Sequence, residues 1–202
     1  MTTTALGLLV FAYLLGGVPF GYLLVKWRTG SDVRSSGSGN IGATNVMRTT
    51  GRGLGVATLL LDIAKGYLAV WLMGRYTAHD PLWMSLAALT VMAGHAFPIF
   101  LKFQGGKAVA SFIGAFLYLT PWPVLAVLLV FVAVVWSKPH ISLGSIVASG
   151  LFPFGVWLIE HPHWSVVAAA AVAGTFVIFR HRSNITRLMA GTESVFRLSG
   201  AK

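Results

Sequence analysis

The sequence predicts an all-α, polytopic integral membrane protein, and three observations carry that reading. Of 202 residues, 56% are hydrophobic and only 10% are charged, against roughly 25% charged in soluble domains; the mean hydropathy is +0.77. Seven apolar runs follow one another at 5–25, 54–74, 82–101, 108–120, 123–137, 143–160 and 164–180, most of them close to the roughly 17–25 residues that cross a bilayer. The basic residues, finally, collect in alternate connectors between those runs.

The runs are justified one by one. The first has no basic region ahead of it and no small-residue cleavage site, so it reads as a retained helix rather than a signal peptide. The second carries Asp62 and Lys65, spaced i,i+3, and charges at that depth are expected to pair inside the bundle. The third ends on His95 and Pro98. The fourth is short for a span unless its ends extend or are buried in protein. Pro121 and Pro123 break the helix there and predict a tight hairpin into the fifth. Ser142 and Ser145 open the sixth, where they either cap the helix or line a pocket; their type and spacing favour neither. The seventh is followed by a short basic tail, His181 to Lys202, lying on the membrane surface or folded under the bundle. With no repeat at a 20–50-residue period, residues 1–202 read as a single domain.

Charge sets the orientation. Lys26, Arg28, Arg34, Arg48, Arg52, Lys102, Lys107, Lys138, Arg180, Arg182, Arg187, Arg197 and Lys202 lie on one side of the predicted membrane, and the other side holds Arg75. By the positive-inside rule the N-terminus is outside and the C-terminus cytoplasmic. The net charge of +10 is accounted for in this way, without a nucleic-acid partner. There are no cysteines, which excludes disulfides, thiol nucleophiles and thiolate metal sites. The six histidines are dispersed and acids are scarce, so no metal and no cofactor is expected.

Three polar stretches fall on the cytoplasmic side. Ser36 to Arg48 reads SGSGNIGATNVMR. Small residues let a backbone turn its N–H groups toward an anion. Thr44, Asn45 and Arg48 add hydroxyl, amide and guanidinium donors within two helical turns. Gly37, Gly39 and Gly42 match GxGxxG, but a membrane helix precedes them where a dinucleotide site needs a strand. Gly94 to Ala110 reads GHAFPIFLKFQGGKAVA. It is no Walker A motif, yet a Gly105-Gly106 turn at a helix start is expected to offer free N–H groups to an anion, with Lys107 as a point charge. His181 to Glu193 reads HRSNITRLMAGTE, and places His181, Asn184 and Arg187 or Leu188 on one helical face.

Taken in order, these stretches resemble the three motifs of the acyl-phosphate-dependent glycerol 3-phosphate acyltransferases of bacterial membranes (PlsY-type), roughly SGSxNxGATNxxR, GHxxPxxxxFxGGKGVA and HRxNIxRLxxGxE. The seven-span layout resembles that family over nearly the whole chain. One departure is Ala108, where the family usually has Gly. The resemblance implies transfer of a fatty acyl group from acyl phosphate to glycerol 3-phosphate, giving lysophosphatidic acid and phosphate, by a monomer in the bacterial inner membrane with its site facing the cytoplasm. Ser38, Gly39, Thr44 and Asn45, with Gly37, Asn40, Gly42 and His95, would hold the phosphoryl group of acyl phosphate. Arg48, Lys107, His181 and Asn184 would hold glycerol 3-phosphate, with Gly105, Gly106, Ser142 and Ser145 around them. Ser38, His95 and His181 are the catalytic candidates. The base is either His181 or a phosphate oxygen of the substrate, and the second route is favoured because a phosphate monoester has its second pKa near 6. The rival from another class is a membrane transporter of a phosphorylated metabolite, which would need a sealed membrane and make no product.

Overall fold

The computed structural model describes residues 2–196; Arg197 and Lys202, counted above among the cytoplasmic cations, lie outside them. The described residues form ten α-helices and two 3-10 turns, with no strand. They fall into two compact units, Met1–Leu119 and Thr120–Lys202.

The first unit contains α1 (Thr2–Gly17), α2 (Phe20–Thr29), α3 (Ala43–Thr50), α4 (Arg52–Tyr76), α5 (Pro81–Ala96) and α6 (Val109–Leu119). The first apolar run is therefore two helices. Pro19 has no N–H to continue the ladder, and the chain breaks at Val18 and Pro19. Gly30, at φ 70°, ends α2 in a left-handed cap whose N–H bonds to Lys26 O. Asp80 caps α5 by accepting from Leu82 N at 2.9 Å and Trp83 N at 3.2 Å, with Pro81 in the first helical position. The backbones of α4 and α6 nearly touch: a Cβ on Gly66 would collide with Ser111 O, and one on Gly114 with Ile63 O. That approach brings polar side chains of α4, α5 and α6 together below the second motif.

The second unit contains α7 (Pro121–Ser137), α8 (Ile141–Ile159), α9 (Trp164–Arg180) and α10 (Arg182–Met189). The helix break before α7 falls at Thr120, and Pro121 stands at the first position of α7. The two prolines thus open the next helix, where a missing N–H costs nothing, instead of forming the turn as expected. The chain bends by 57° between α9 and α10. After α10 it folds back: Phe196 N donates to Pro139 O at 2.6 Å, and His140 Nδ1 donates to Ser194 O at 3.1 Å. Of the two courses open for the tail, the described part takes the folded one.

Packing is that of a protein in lipid. Small residues such as Ala12, Ala87, Ala88 and Ala170 are fully buried, while Leu129 is 73% exposed, Leu60 60% and Phe154 61%. Helices that meet through small residues and turn large apolar ones outward suit a bilayer. Four segments are long and apolar enough to cross one: Thr2–Thr29, Arg52–Tyr76, Pro81–Leu101 and Ile141–Ile159; α9 and α10 taken together make a fifth. With 11 and 17 residues, α6 and α7 reach only about 16 and 26 Å at 1.5 Å per residue.

Candidate active site

The glycine-rich loop stands on a small apolar footing of Val33, Ile41 and Val46, buried with Val25 and Leu101. Above it the chain reverses through Gly37 (φ 61°) and Gly39 (φ 69°), the left-handed region that glycine enters without strain. Asn45, 2% exposed, is the centre of this loop. Its Oδ1 accepts from Ser38 N at 2.8 Å, and its Nδ2 donates to Asn40 O at 2.8 Å, Ser36 O at 3.1 Å and Val33 O at 3.3 Å. Asn40 Oδ1 in turn accepts from Gly42 N at 2.8 Å, an Asx turn that sets Gly42 as the N-cap of α3. Asn45, expected as a phosphate ligand, is thus the residue that shapes the loop, its amide committed within it. Ser38, Thr44 and Arg48 are exposed.

The second motif wraps around the end of α5. Gly105 N donates to Ala96 O at 3.2 Å and Gly106 N to His95 O at 3.1 Å. The expectation that these two N–H groups are free for an anion is corrected: they cap carbonyls that α5 leaves open at its C-terminus. His95 is buried, with Ser111 Oγ 3.2 Å and Asp62 Oδ1 3.6 Å from its Nδ1. Gly106 lies so close to the ring that a Cβ there would collide with Nε2. Lys107 follows, half-buried. The predicted ion pair is present: Lys65 Nζ is 2.8 Å from Asp62 Oδ1, and also donates to Val18 O at 2.9 Å.

Ala108 is fully buried at φ 62°, so the one departure from the family pattern falls on a left-handed residue. A Cβ there costs about 1–2 kcal/mol. Ala108→Gly is therefore expected to raise stability by about 1 kcal/mol, read as a higher melting temperature in detergent.

In the second unit the third motif closes on a carboxylate. Glu193 Oε1 accepts from Asn184 Nδ2 at 2.6 Å and from Ser142 Oγ at 2.8 Å; Oε2 accepts from Arg187 Nε at 2.7 Å. Burial raises the Glu193 pKa, but the bonds from Asn184, Ser142 and Arg187 outweigh it and leave the group below its ordinary 4.5. Because the folded value is the lower one, the stability this carboxylate contributes is present above the unfolded value and is lost as pH falls through the folded one. Acid melting curves should show the wild-type chain losing stability below about pH 4.5 more steeply than Glu193→Gln. His181, 3% exposed, joins α9 to α10 and sits in the bend. Its Nδ1 is 2.8 Å from Val177 O; a carbonyl only accepts, so Nδ1 carries the proton. Ser145 Oγ bonds back to Ile141 O at 2.9 Å. Of the two serines, Ser142 reaches the cluster and Ser145 is tied to its own helix.

Compared with known proteins, residues 6–191 match the profile described as glycerol-3-phosphate acyltransferase. The chain belongs to the glycerol-3-phosphate acyltransferase family. The protein of that name from Geotalea daltonii is 43% identical over 96% of this chain and 99% of its own. The one from Trichlorobacter lovleyi is 47% identical over 92% and 94%. Among solved structures, PlsY (YgiH), an integral membrane glycerol 3-phosphate acyltransferase, superposes in its glycerol 3-phosphate form with a TM-score of 0.91 at 36% identity, over 96% of both chains. Its lysophosphatidic acid form gives 0.89 at 35%, again over 96% of both. The chain is thus an acyltransferase family member with the all-helical, integral membrane PlsY fold.

For this acyltransferase-family chain, the structure brings Ser38, Asn40, Gly42, Thr44 and Asn45 into one loop and Gly105 and Gly106 against His95. In the second unit Ser142 and Asn184 meet. Glu193, absent from the candidate residues, is what joins the last two to Arg187. It could have been found: it closes the third motif, and it is one of only five acids. The i,i+3 spacing pointed to the pairing of Asp62 with Lys65, but nothing in the spacing pointed to the approach of Asp62 and Ser111 to His95.

Proposed function

We propose that this protein transfers a fatty acyl group from acyl phosphate to glycerol 3-phosphate, releasing lysophosphatidic acid and inorganic phosphate. The observation that carries the reading is the conjunction of family membership over residues 6–191 with a closely superposing fold in a protein whose structures include glycerol 3-phosphate and lysophosphatidic acid forms. The chemistry of the motifs supports it. Acyl phosphate is already activated, so the enzyme has mainly to position two phosphorylated substrates and to stabilise a developing oxyanion.

In this reading the loop around Asn45 receives the phosphoryl group of acyl phosphate, with Ser38 and Thr44 as its exposed donors, the glycines letting the backbone approach, and His95 in support. Arg48, Lys107, His181 and Asn184 hold the phosphate of glycerol 3-phosphate, and Glu193 orders Asn184. A phosphate oxygen of glycerol 3-phosphate takes the proton of the attacking hydroxyl; the hydroxyl oxygen bonds to the acyl carbon, and the C–O bond to phosphate breaks. No metal or cofactor takes part. Residues 1–202 act as one catalytic domain and as a monomer. The helices cross the bacterial inner membrane seven times, N-terminus outside and C-terminus inside. The site faces the cytoplasm, where the basic connectors lie.

Purified protein in detergent, given acyl phosphate and glycerol 3-phosphate, should release phosphate and form lysophosphatidic acid. Absence of product there, with solute uptake into sealed vesicles, would instead identify a transporter.

A further inference from the structure

The ion pair inside the first unit is not explained by stability. Asp62 and Lys65 are each 2% exposed, in the middle of a membrane helix. Replacing a buried ion pair by apolar residues of the same size is often neutral or stabilising, and charges at that depth are expensive. What distinguishes this pair is its neighbour. Asp62 Oδ1 faces Lys65 Nζ at 2.8 Å on one side and His95 Nδ1 at 3.6 Å on the other. The second distance is too long for a hydrogen bond, so the carboxylate packs beside the ring. Ser111 Oγ, at 3.2 Å, supplies the hydrogen bond to the same nitrogen. Lys65 is itself tied to Val18 O at the break between α1 and α2, which fixes the carboxylate it holds.

The opposite edge of the ring bears on the second motif. Gly106 packs on Nε2 with no room for a Cβ, and its N–H bonds to the carbonyl of the same histidine. Lys107 is the next residue. A continuous line of contacts thus runs from the ion pair through the imidazole to the turn that carries Lys107.

We propose that Asp62 is a positioning residue for acyl transfer: its carboxylate, clamped by Lys65, fixes the His95 ring, and the ring fixes the Gly106–Lys107 turn so that Lys107 meets the phosphate of glycerol 3-phosphate. This rests on the reading of Lys107 as a glycerol 3-phosphate contact. Asp62 touches neither substrate. Its effect on glycerol 3-phosphate passes through Lys107, which the supported turn carries; any effect on acyl phosphate passes through the His95 ring itself.

The test is steady-state kinetics on the full-length purified protein, with a melting curve for each variant. Asp62→Asn/Lys65→Met removes both charges and keeps the side-chain volumes. It is expected to raise the KM for glycerol 3-phosphate about 3- to 10-fold, the loss of one modest polar contact. In a Lys107→Ala background the double change should add nothing further to the KM, since the group it positions is gone. A merely structural pair would lower the folded fraction and the apparent kcat, with the wild-type KM retained in what folds; that result overturns the proposal. So does a KM effect that multiplies with Lys107→Ala. If the double variant fails to fold, Asp62→Asn alone reads the same KM: a rise for glycerol 3-phosphate that is absent in the Lys107→Ala background supports the proposal, and an unchanged value overturns it. Lys107→Ala with an unchanged KM for glycerol 3-phosphate would overturn the Lys107 reading and this inference together. A raised KM for Lys107→Ala alone, with none for the Asp62 variants, overturns the inference and leaves the reading standing.

Discussion

Gly37→Ala is expected to cost acyl transfer at least about 100-fold while the helices still form and insert. Two costs fall on one position. At φ 61° a side chain is strained by about 1–2 kcal/mol, and the new Cβ would collide with Asn45 Oδ1. Relieving that collision moves the amide that holds Ser36, Ser38 and Asn40 in register. A displacement of about 1 Å in a positioning group costs on the order of 100-fold, and here the whole loop shifts, so kcat/KM should fall by at least about that factor. The same comparison ranks the neighbouring glycines. Gly39, at φ 69° with Arg34 O 3.3 Å from where a Cβ would stand, carries the strain without the collision. Gly42 has an ordinary φ of −76° and would only crowd Asn40 Oδ1, at 3.0 Å. Activity should therefore decline from wild type through Gly42→Ala and Gly39→Ala to Gly37→Ala. Phosphate release in detergent measures the series, and near wild-type turnover of Gly37→Ala would refute the phosphate cradle.

That ranking shows where the sequence was legible. Apolar runs announce membrane helices because a bilayer demands about 20 apolar residues whatever the fold, so five of the runs reappear as single helices within two residues of their predicted bounds, while the third stops at Ala96 and continues after Pro98 as a 3-10 turn, Ile99–Leu101. The first did not, since Pro19 sits inside an apolar run whose hydropathy hides the break. The three polar stretches stood out because nothing else in so apolar a chain calls for them. What could not be read was the direction of each polar group. An amide such as Asn45 can bind a phosphate or its own loop, and only the fold of Gly37 and Gly39 around it decides. The N–H groups of Gly105 and Gly106 were assigned outward because a Gly-Gly turn before a helix usually has them free; the end of α5 takes them instead. Glu193 lies nine residues beyond Asn184, past the end of α10, where helical periodicity no longer indicates what a side chain meets.

The base is the last step, and it predicts a larger effect than most single substitutions. His181 has its Nδ1 proton directed to Val177 O at 2.8 Å. That bond fixes the tautomer and the ring plane, which serves a binding group as well as a base. If His181 were the base, His181→Ala should lose on the order of 10²–10⁴-fold in kcat. If glycerol 3-phosphate supplies the base, the loss falls mainly on the KM for that substrate, and His181→Asn is partly tolerated because it keeps a donor. A phosphate monomethyl ester of glycerol 3-phosphate separates the two. It retains one negative charge and so occupies the site, but it lacks the second ionisation near pH 6 that makes a phosphate monoester a base at neutral pH. We expect it to bind as a competitive inhibitor and to be acylated slower than glycerol 3-phosphate by on the order of 10²–10⁴-fold, the usual contribution of a positioned base. Binding is read from inhibition of the normal reaction, turnover from phosphate release with acyl phosphate and the ester as sole acceptor. Turnover close to that of glycerol 3-phosphate would end the substrate-assisted mechanism and make His181 the base, its Nε2 then taking the hydroxyl proton while Val177 O holds the other nitrogen.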